Sequence, residues 1–260
     1  FWRTGHFENK DDIQHNLIEK SEAILSAASV AIIGGGPTAV SVASNVKEMR
    51  PEAKVHLFFS QDMPLPSYHP RTRRKVEKIL RNQEVILHPF HRAYVPEDLD
   101  VEAFSNNPIS WSTGQPHFDA DLTLWAIGKL TPNNGFIPPD MLTNDGFVKS
   151  DCFLRVPEHD NVFTVGDIAK TDDNRSSARN AGHLVLAHNV KSFLEGNSEK
   201  MKPFKPPRHR WGSILGVQKK GLSIFTPNGK RIAISPWWVK NILFPVFVWR
   251  LIYQGLKKRR

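Results

Sequence analysis

A glycine turn set between two apolar runs constrains this chain more than any other feature. Val30-Ala31-Ile32-Ile33 reads as a buried parallel strand, since consecutive apolar, partly β-branched residues leave no polar face for water. The run passes directly into Gly34-Gly35-Gly36-Pro37-Thr38-Ala39. Beyond it, Ala39, Val40, Val42, Ala43 and Val46 recur at helical spacing, and Pro51 ends that helix near Arg50.

Strand, glycine turn and helix together are the context in which a G-x-G-x-x-G/A pattern carries chemistry. Here the pattern is Gly34-x-Gly36-x-x-Ala39. Gly34 lets the chain turn sharply out of the strand. Gly36 removes a side chain so that a pyrophosphate can approach the backbone, and Ala39 keeps helix and strand close. The phosphates would rest on the unpaired N–H groups at the positive end of the helix. The bland alternative is an ordinary glycine-rich turn in an α/β protein. The flanking elements favour a dinucleotide.

The 260 residues suffice for one large or two small domains, and 40% hydrophobic with 23% charged residues is a globular composition. The chain opens on Phe1 and not Met, so an earlier start is expected. No secretory leader is visible. The single cysteine, Cys152, excludes an internal disulfide framework and a C-x-x-C pair, and is expected to be a buried structural thiol.

The net charge of +9 conceals an asymmetry. Residues 200–260 hold fifteen of the 35 Lys and Arg and no Asp or Glu. Residues 1–199 carry the other 20 basic side chains against all 26 acidic ones, a net of −6. Opposite charge in two parts points to two tasks.

Asp11 to Ala28 reads as a helix with Ile13, Leu17, Ile18, Ile24 and Leu25 as its apolar positions. Lys54 to Phe59 is the second strand. An NAD-binding unit ends that strand on an acidic residue that holds the ribose hydroxyls. This chain offers Phe59-Ser60-Gln61-Asp62 there, with no arginine in sequence beside it for a 2′-phosphate. The choice between NAD and NADP stays open, and Phe59 and Ser60 are the candidate nucleotide contacts. Pro70 to Asn82 is a basic helix with Val76, Ile79 and Leu80 inward and its cations solvated. Glu84 to Leu87 reads as a strand, Ile109 to Phe118 as a hairpin, and Asp121 to Ile127 as an apolar strand ending at Gly128. His56, His69, His88 and His91 show no metal-ligand spacing and read as structural or surface groups; no metal site is expected.

A second informative stretch is Asn161-Val162-Phe163-Thr164-Val165-Gly166-Asp167. It reads as a short strand delivering a carboxylate at its C-terminal end, where open α/β sheets bind ligands. Ser176 to Leu194 follows as a helix.

Gly34-Gly35-Gly36-Pro37-Thr38-Ala39, then Leu124-Trp125-Ala126-Ile127-Gly128, then Val162-Phe163-Thr164-Val165-Gly166-Asp167 resemble, in that order, the flavin-dependent pyridine nucleotide-disulfide oxidoreductase superfamily. The apoptosis-inducing-factor-like, ferroptosis-suppressor type, near the type II NADH:quinone reductases, is the most similar branch. The resemblance covers about residues 25–195. It implies that the first motif binds NAD(P)H, that the strand end at Gly128 approaches the nicotinamide, and that Gly166-Asp167 holds the flavin ribitol of FAD. Two departures stand out: Ala39 and Ser41 occupy positions where the family commonly has Gly and Glu. The family also has an earlier glycine-rich strand–turn–helix for the ADP part of FAD, and none precedes residue 30 here. The chain is therefore expected either to be a fragment or to bind FAD weakly. It has no C-x-x-x-x-C, so no disulfide reductase is expected. Flavin hydride transfer needs few protein acids or bases, and no catalytic residue is assigned.

In the tail, Pro203, Pro206 and Pro207 mark a linker, and Trp211 to Ile234 reads as short strands with a turn at Pro227-Asn228-Gly229-Lys230. Pro236 to Pro245 is rich in tryptophan and aliphatics, and from Val246 onward Arg250, Gln254, Lys257 and Lys258 fall on one helical face. The apolar run Ile242 to Trp249 is far short of the roughly 20 residues that span a bilayer. It suits an interfacial helix with indoles at headgroup level and a cationic end. The alternative is a C-terminal helix packed on the body. Nucleic acid is not an expected partner, because no reader motif accompanies the basic residues.

The sequence therefore predicts an α/β protein: a lead-in helix to residue 28, a Rossmann-like NAD(P)-binding domain over 29–127, the closing half of an FAD-binding domain over 128–197, and a basic region with an interfacial helix over 198–260. The expected activity passes electrons from NAD(P)H through FAD to a quinone-like acceptor, with residues 237–260 on an anionic membrane surface in the cytoplasm or mitochondrion. The alternative is a truncated, non-catalytic NAD(P)-binding module.

Overall fold

Apolar strands joined by helical crossovers have one economical solution, a parallel sheet covered on both faces. The computed structural model describes residues 9–96, 103–127 and 132–252, which fall into two units. The first joins residues 1–128 to 211–260, and the second is 129–210.

In the first unit, α1 (Lys10–Ser26) leads into β1 (Ser29–Ile33), α2 (Pro37–Met49), β2 (Lys54–Phe58), α3 (Pro70–Asn82), β3 (Ile86–His88) and β4 (Leu122–Trp125). The strands lie in the order β3-β2-β1-β4, all parallel. Asp121 fixes one end of the register: its carboxylate accepts from the Ala28 and Ser29 N–H groups at 2.9 and 2.8 Å. Alternation along the strands makes two cores. Val30, Ile32, Val55 and Leu57 meet Val40, Val76 and Leu80 of the helices. Ala31, Ile33, Phe58 and Trp125 meet Ile109 and Trp111 of the segment before β4. The expected hairpin at 109–118 is reduced to a bridge between Ile109 and Phe118. None of the apolar positions of α1 is buried.

The tail does not form a separate region. β5 (Gly212–Gln218), β6 (Gly221–Phe225) and β7 (Arg231–Ile234) make an antiparallel sheet that shares the first core through Ile214, Leu215 and Phe225. A register shift between Ser213 and Val217 lets the consecutive Ile214 and Leu215 both turn inward. Asn45 of α2 donates its amide to the Leu215 carbonyl at 2.9 Å, and Ser44 donates to Gln83 at 2.8 Å within a network that includes Gln218. α5 (Pro236–Trp238) continues as a π-wound helix, Val239–Ile252, with Pro245 inside it. Val239 is buried there, while Trp237, Trp238, Phe244, Phe247 and Trp249 are exposed. The expected polar face at Gln254, Lys257 and Lys258 lies outside the described residues.

The second unit is mostly loop. Its core is Phe147, Val148, Leu154, Val156, Ala169 and Phe204. Buried Asn189 ties it together: its amide donates to the Phe153 and Lys202 carbonyls at 2.8 and 2.9 Å, and its oxygen accepts from the Lys202 N–H at 2.7 Å. Three expectations are corrected here. Asn161 to Val165 is not a strand; Phe163 makes one bridge, with Arg155. The helix expected from Ser176 is α4 (Gly182–Leu194), because Asp172 draws the Ser176 N–H and hydroxyl into a turn and Ala181 sits at φ 57°. Cys152 is exposed, not buried.

Candidate functional site

The geometry at the end of β1 follows from its glycines. Gly34 lies at φ 140°, and a Cβ there would sit 2.5 Å from the Ala126 carbonyl oxygen, so no other residue fits the exit from the strand. A Cβ at Gly35 would meet that of Phe59 at 3.1 Å. At Gly36 it would meet nothing within 4 Å. Gly34 is required by the protein's own backbone, whereas no contact within the protein requires a glycine at position 36.

Gly36 is the N-cap of α2 and supplies no side-chain bond, while Pro37 at the first helical position has no N–H. The Val40 N–H donates to the Gly36 carbonyl at 3.1 Å, and of the first-turn amides that lack an acceptor within the helix, that of Thr38 belongs to a partly exposed residue. Ala39 is fully buried against β1. The turn also lies where the strand order reverses, with β2 on one side of β1 and β4 on the other. That crevice is where open α/β sheets take ligands.

The loop after β2 completes one wall. Leu65 donates its N–H to the Gly35 carbonyl at 2.7 Å and is itself fully buried at φ 64°. Arg73 of α3 holds this loop by donating to Pro64 O at 3.0 Å, Met63 O at 2.7 Å and the Asp62 carboxylate at 2.9 Å. An arginine therefore stands beside Asp62 in space, although none does in sequence. Neither Leu65 nor Arg73 was among the sequence candidates; the only signal was Pro64 and Pro66 framing Leu65.

Phe59 is corrected as a nucleotide contact. It is buried, its N–H donates to the His88 carbonyl at 3.1 Å, and it supports Gly35 from beneath. Ser60 is exposed at the C-terminal edge of β2. Gly128 lies outside the described residues. Gly166 and Asp167 belong to the second unit, where the Gly166 N–H donates to Ser177 Oγ at 3.0 Å and Asp167 is exposed. A Cβ on Gly166 would meet nothing within 4 Å, although its φ of 100° favours glycine.

The histidines separate by role. His69 caps α3 by accepting from the Arg71 N–H at 3.1 Å. His56 Nδ1 and His88 Nε2 lie 2.9 Å apart in the second core, and the His88 ring stacks on Phe58 at 4.1 Å. Burial, then the neighbouring His56 and His91, push the His88 pKa down to about 4. Among the described residues no group of three His, Cys, Asp or Glu is placed to hold a metal ion.

The family model described as pyridine nucleotide-disulphide oxidoreductase matches residues 3–188. Fe-regulated protein 8 of Mycosarcoma maydis is 27% identical over 212 residues, covering 78% of this chain and 51% of that protein. Ferroptosis suppressor protein 1 of Xenopus laevis is 29% identical over 196 residues, covering 72% of this chain and 51% of that protein. The chain spans about half the length of these curated relatives. Among solved structures, a pyridine nucleotide-disulfide family oxidoreductase from Enterococcus faecalis superposes with a TM-score of 0.55 at 20% identity, covering 74% of this chain and 44% of that one. That likeness concerns the fold.

Proposed function

The chain belongs to the pyridine nucleotide-disulphide oxidoreductase family, and from that premise we propose that it binds NAD(P)H as the donor half of a flavin-dependent oxidoreductase acting on a quinone-like acceptor at a membrane surface. The observation that carries the reading is the open space at Gly36 beside the uncapped first turn of α2. A pyrophosphate placed there accepts from the Thr38 amide and gains from the helix dipole. Leu65 and Arg73 hold the wall of the crevice, and Asp62 and Ser60 stand at the end of β2, on the side where a ribose would lie.

For FAD the fit is partial. The described residues offer one element, the Gly166 backbone with its open approach and the exposed Asp167 carboxylate, suited to hydroxyls of a ribityl chain. No second strand–glycine turn–helix occurs among them. When bound, the flavin would supply the hydride acceptor and the exit for electrons. The protein's part is to hold and orient the donor.

Membrane contact is supported by the aromatic side chains left exposed over 237–249 beside Lys240 and Arg250. No helix among the described residues is long and apolar enough to cross a bilayer. The partial flavin fit favours a second reading, a module that binds NAD(P)H without catalysis.

Calorimetric titration with NADH and NADPH tests the core of the proposal; absence of binding by both overturns it. Reduction of a water-soluble quinone by the chain supplied with FAD and NAD(P)H separates the two readings. Co-sedimentation with anionic vesicles, lost on truncation after Ser235, tests the membrane contact.

A further inference from the structure

A cleft lies between the C-terminal ends of α2 and α3 and the β5–β6 hairpin. Its cavity of about 510 Å³ is lined by residues that include Lys47, Gln83, Gln218, Lys219, Lys220 and Arg231. A second cavity of about 380 Å³ shares Ile79, Asn82 and Arg231 with it and adds Lys75 and Lys78. Together the two walls present six cations against the carboxylates of Glu48 and Glu84. Both carboxylates already have partners. Glu84 lies 3.7 Å from Lys47, and Glu48 accepts from the Lys219 N–H at 2.9 Å.

Three of the cations, Lys47, Lys219 and Arg231, are held in place by hydrogen bonds. Lys47 Nζ is buried and donates to the Pro51 and Ala53 carbonyls at 2.7 and 3.0 Å. Lys219 Nζ donates to the Glu48 carbonyl at 3.0 Å. The two-lysine hairpin loop is locked by Gly221 at φ 100°, where a Cβ would lie 2.0 Å from the Ile234 carbonyl oxygen. Arg231 Nε donates to Ser223 Oγ at 3.0 Å. Lys75, Lys78 and Lys220 are exposed and have no acidic partner among the described residues. The lining amides of Gln83 and Gln218 are satisfied by each other and by Ser44 buried behind them, so a ligand would be held by the rim cations.

We propose that this cleft is a second binding site, for a multiply charged phosphate group such as an inositol phosphate, borne by a soluble molecule or by a lipid headgroup. Lysine ammonium groups are point-charge phosphate binders, and an arginine fork adds direction. The volume lies in the range of small-molecule sites. Gly221 also packs against the Pro236 backbone at the start of the aromatic tail helix, which favours the lipid source. The site is independent of the hydride-transfer reading, and only its lipid arm leans on the membrane contact proposed above.

The test titrates the whole chain with soluble inositol trisphosphate and, separately, with phosphatidylcholine vesicles with and without phosphatidylinositol bisphosphate. The expected result is saturable binding that falls about tenfold for each cation removed, in Lys220→Ala/Arg231→Ala and in Lys75→Ala/Lys78→Ala. All four side chains are exposed, so both variants should fold, as circular dichroism would verify. Gly36→Val should leave this binding unchanged while removing NAD(P)H. Capture of the vesicles alone identifies a lipid source, and comparable affinity for the soluble headgroup identifies a soluble one; either supports the site if both double variants lose it. Binding of neither probe, binding undiminished in both double variants, or equal displacement by an oligonucleotide overturns it.

Discussion

The backbone N–H of Leu65 donates to the carbonyl of Gly35 at 2.7 Å, joining the loop after the second strand to the turn after the first. Leu65 is in the left-handed region at φ 64° and fully buried, so a conformation costing roughly 1–2 kcal/mol is held by packing and by this bond. The wall of the crevice at the end of β1 is thus set by the same contact that shapes the turn.

The two outer glycines should separate binding from folding. Gly36→Val places its side chain in open space at φ −82°, which any residue adopts, and should abolish NAD(P)H binding with Tm shifted by only a few degrees. Gly34→Ala meets the Ala126 carbonyl and a strained φ, and should cost several kcal/mol. Calorimetry and thermal melts of both variants would show it; binding by Gly36→Val at the parent affinity would refute the site.

Arg73→Ala removes three donated bonds from the loop and should raise the nucleotide Kd about tenfold or more without unfolding the unit. Hydrogen exchange at the Leu65 amide should quicken in parallel. An unchanged exchange rate would mean that the loop does not depend on this arginine.

Acid should weaken the first unit through its half-buried histidines, His56 and His88. The folded pKa of His88 lies near 4, below its ordinary 6.5, and burial followed by Lys54 lowers that of His56 as well. The unfolded chain then binds more protons, so this contribution to stability is fully present above about pH 6.5 and is lost as pH falls toward 4. With allowance for its partial solvent access, His88 accounts for about 2 kcal/mol. Denaturant melts at pH 7 and pH 5 should differ for the parent chain and differ less for His88→Phe, which keeps the stack on Phe58.

Phe225→Ala should destabilise the whole first unit, not merely the tail. Phe225 is fully buried in the core that contains Val40 and Leu57, and its loss should cost about 3–5 kcal/mol. Melting followed by far- and near-ultraviolet dichroism should show one transition, shifted down by about 10 °C. A separate early transition that leaves the rest of the unit unchanged would speak against a shared core.

The sequence by itself determined what is local. β1, the glycine turn and α2 are contiguous, so strand pattern, Gly34, Gly36 and Pro37 announce one another within a few residues. The helix Pro70–Asn82 was legible end to end, because proline opens it and Val76, Ile79 and Leu80 mark its inner face. Hydrophobic period and backbone sterics act over one or two turns of chain, and the sequence records them directly. Tertiary structure decided what depends on residues far apart in the chain. Arg73 reaches Asp62 only once α3 has docked, and His56 meets His88 only once two strands have paired. The basic tail reads as a region of its own, yet Ser44 meets Gln218 across 174 positions and Leu215 enters the common core. Phe59 follows the same rule: its type fits a strand end facing a ligand or one facing the core. Only the placement of Gly35 against it selects the core.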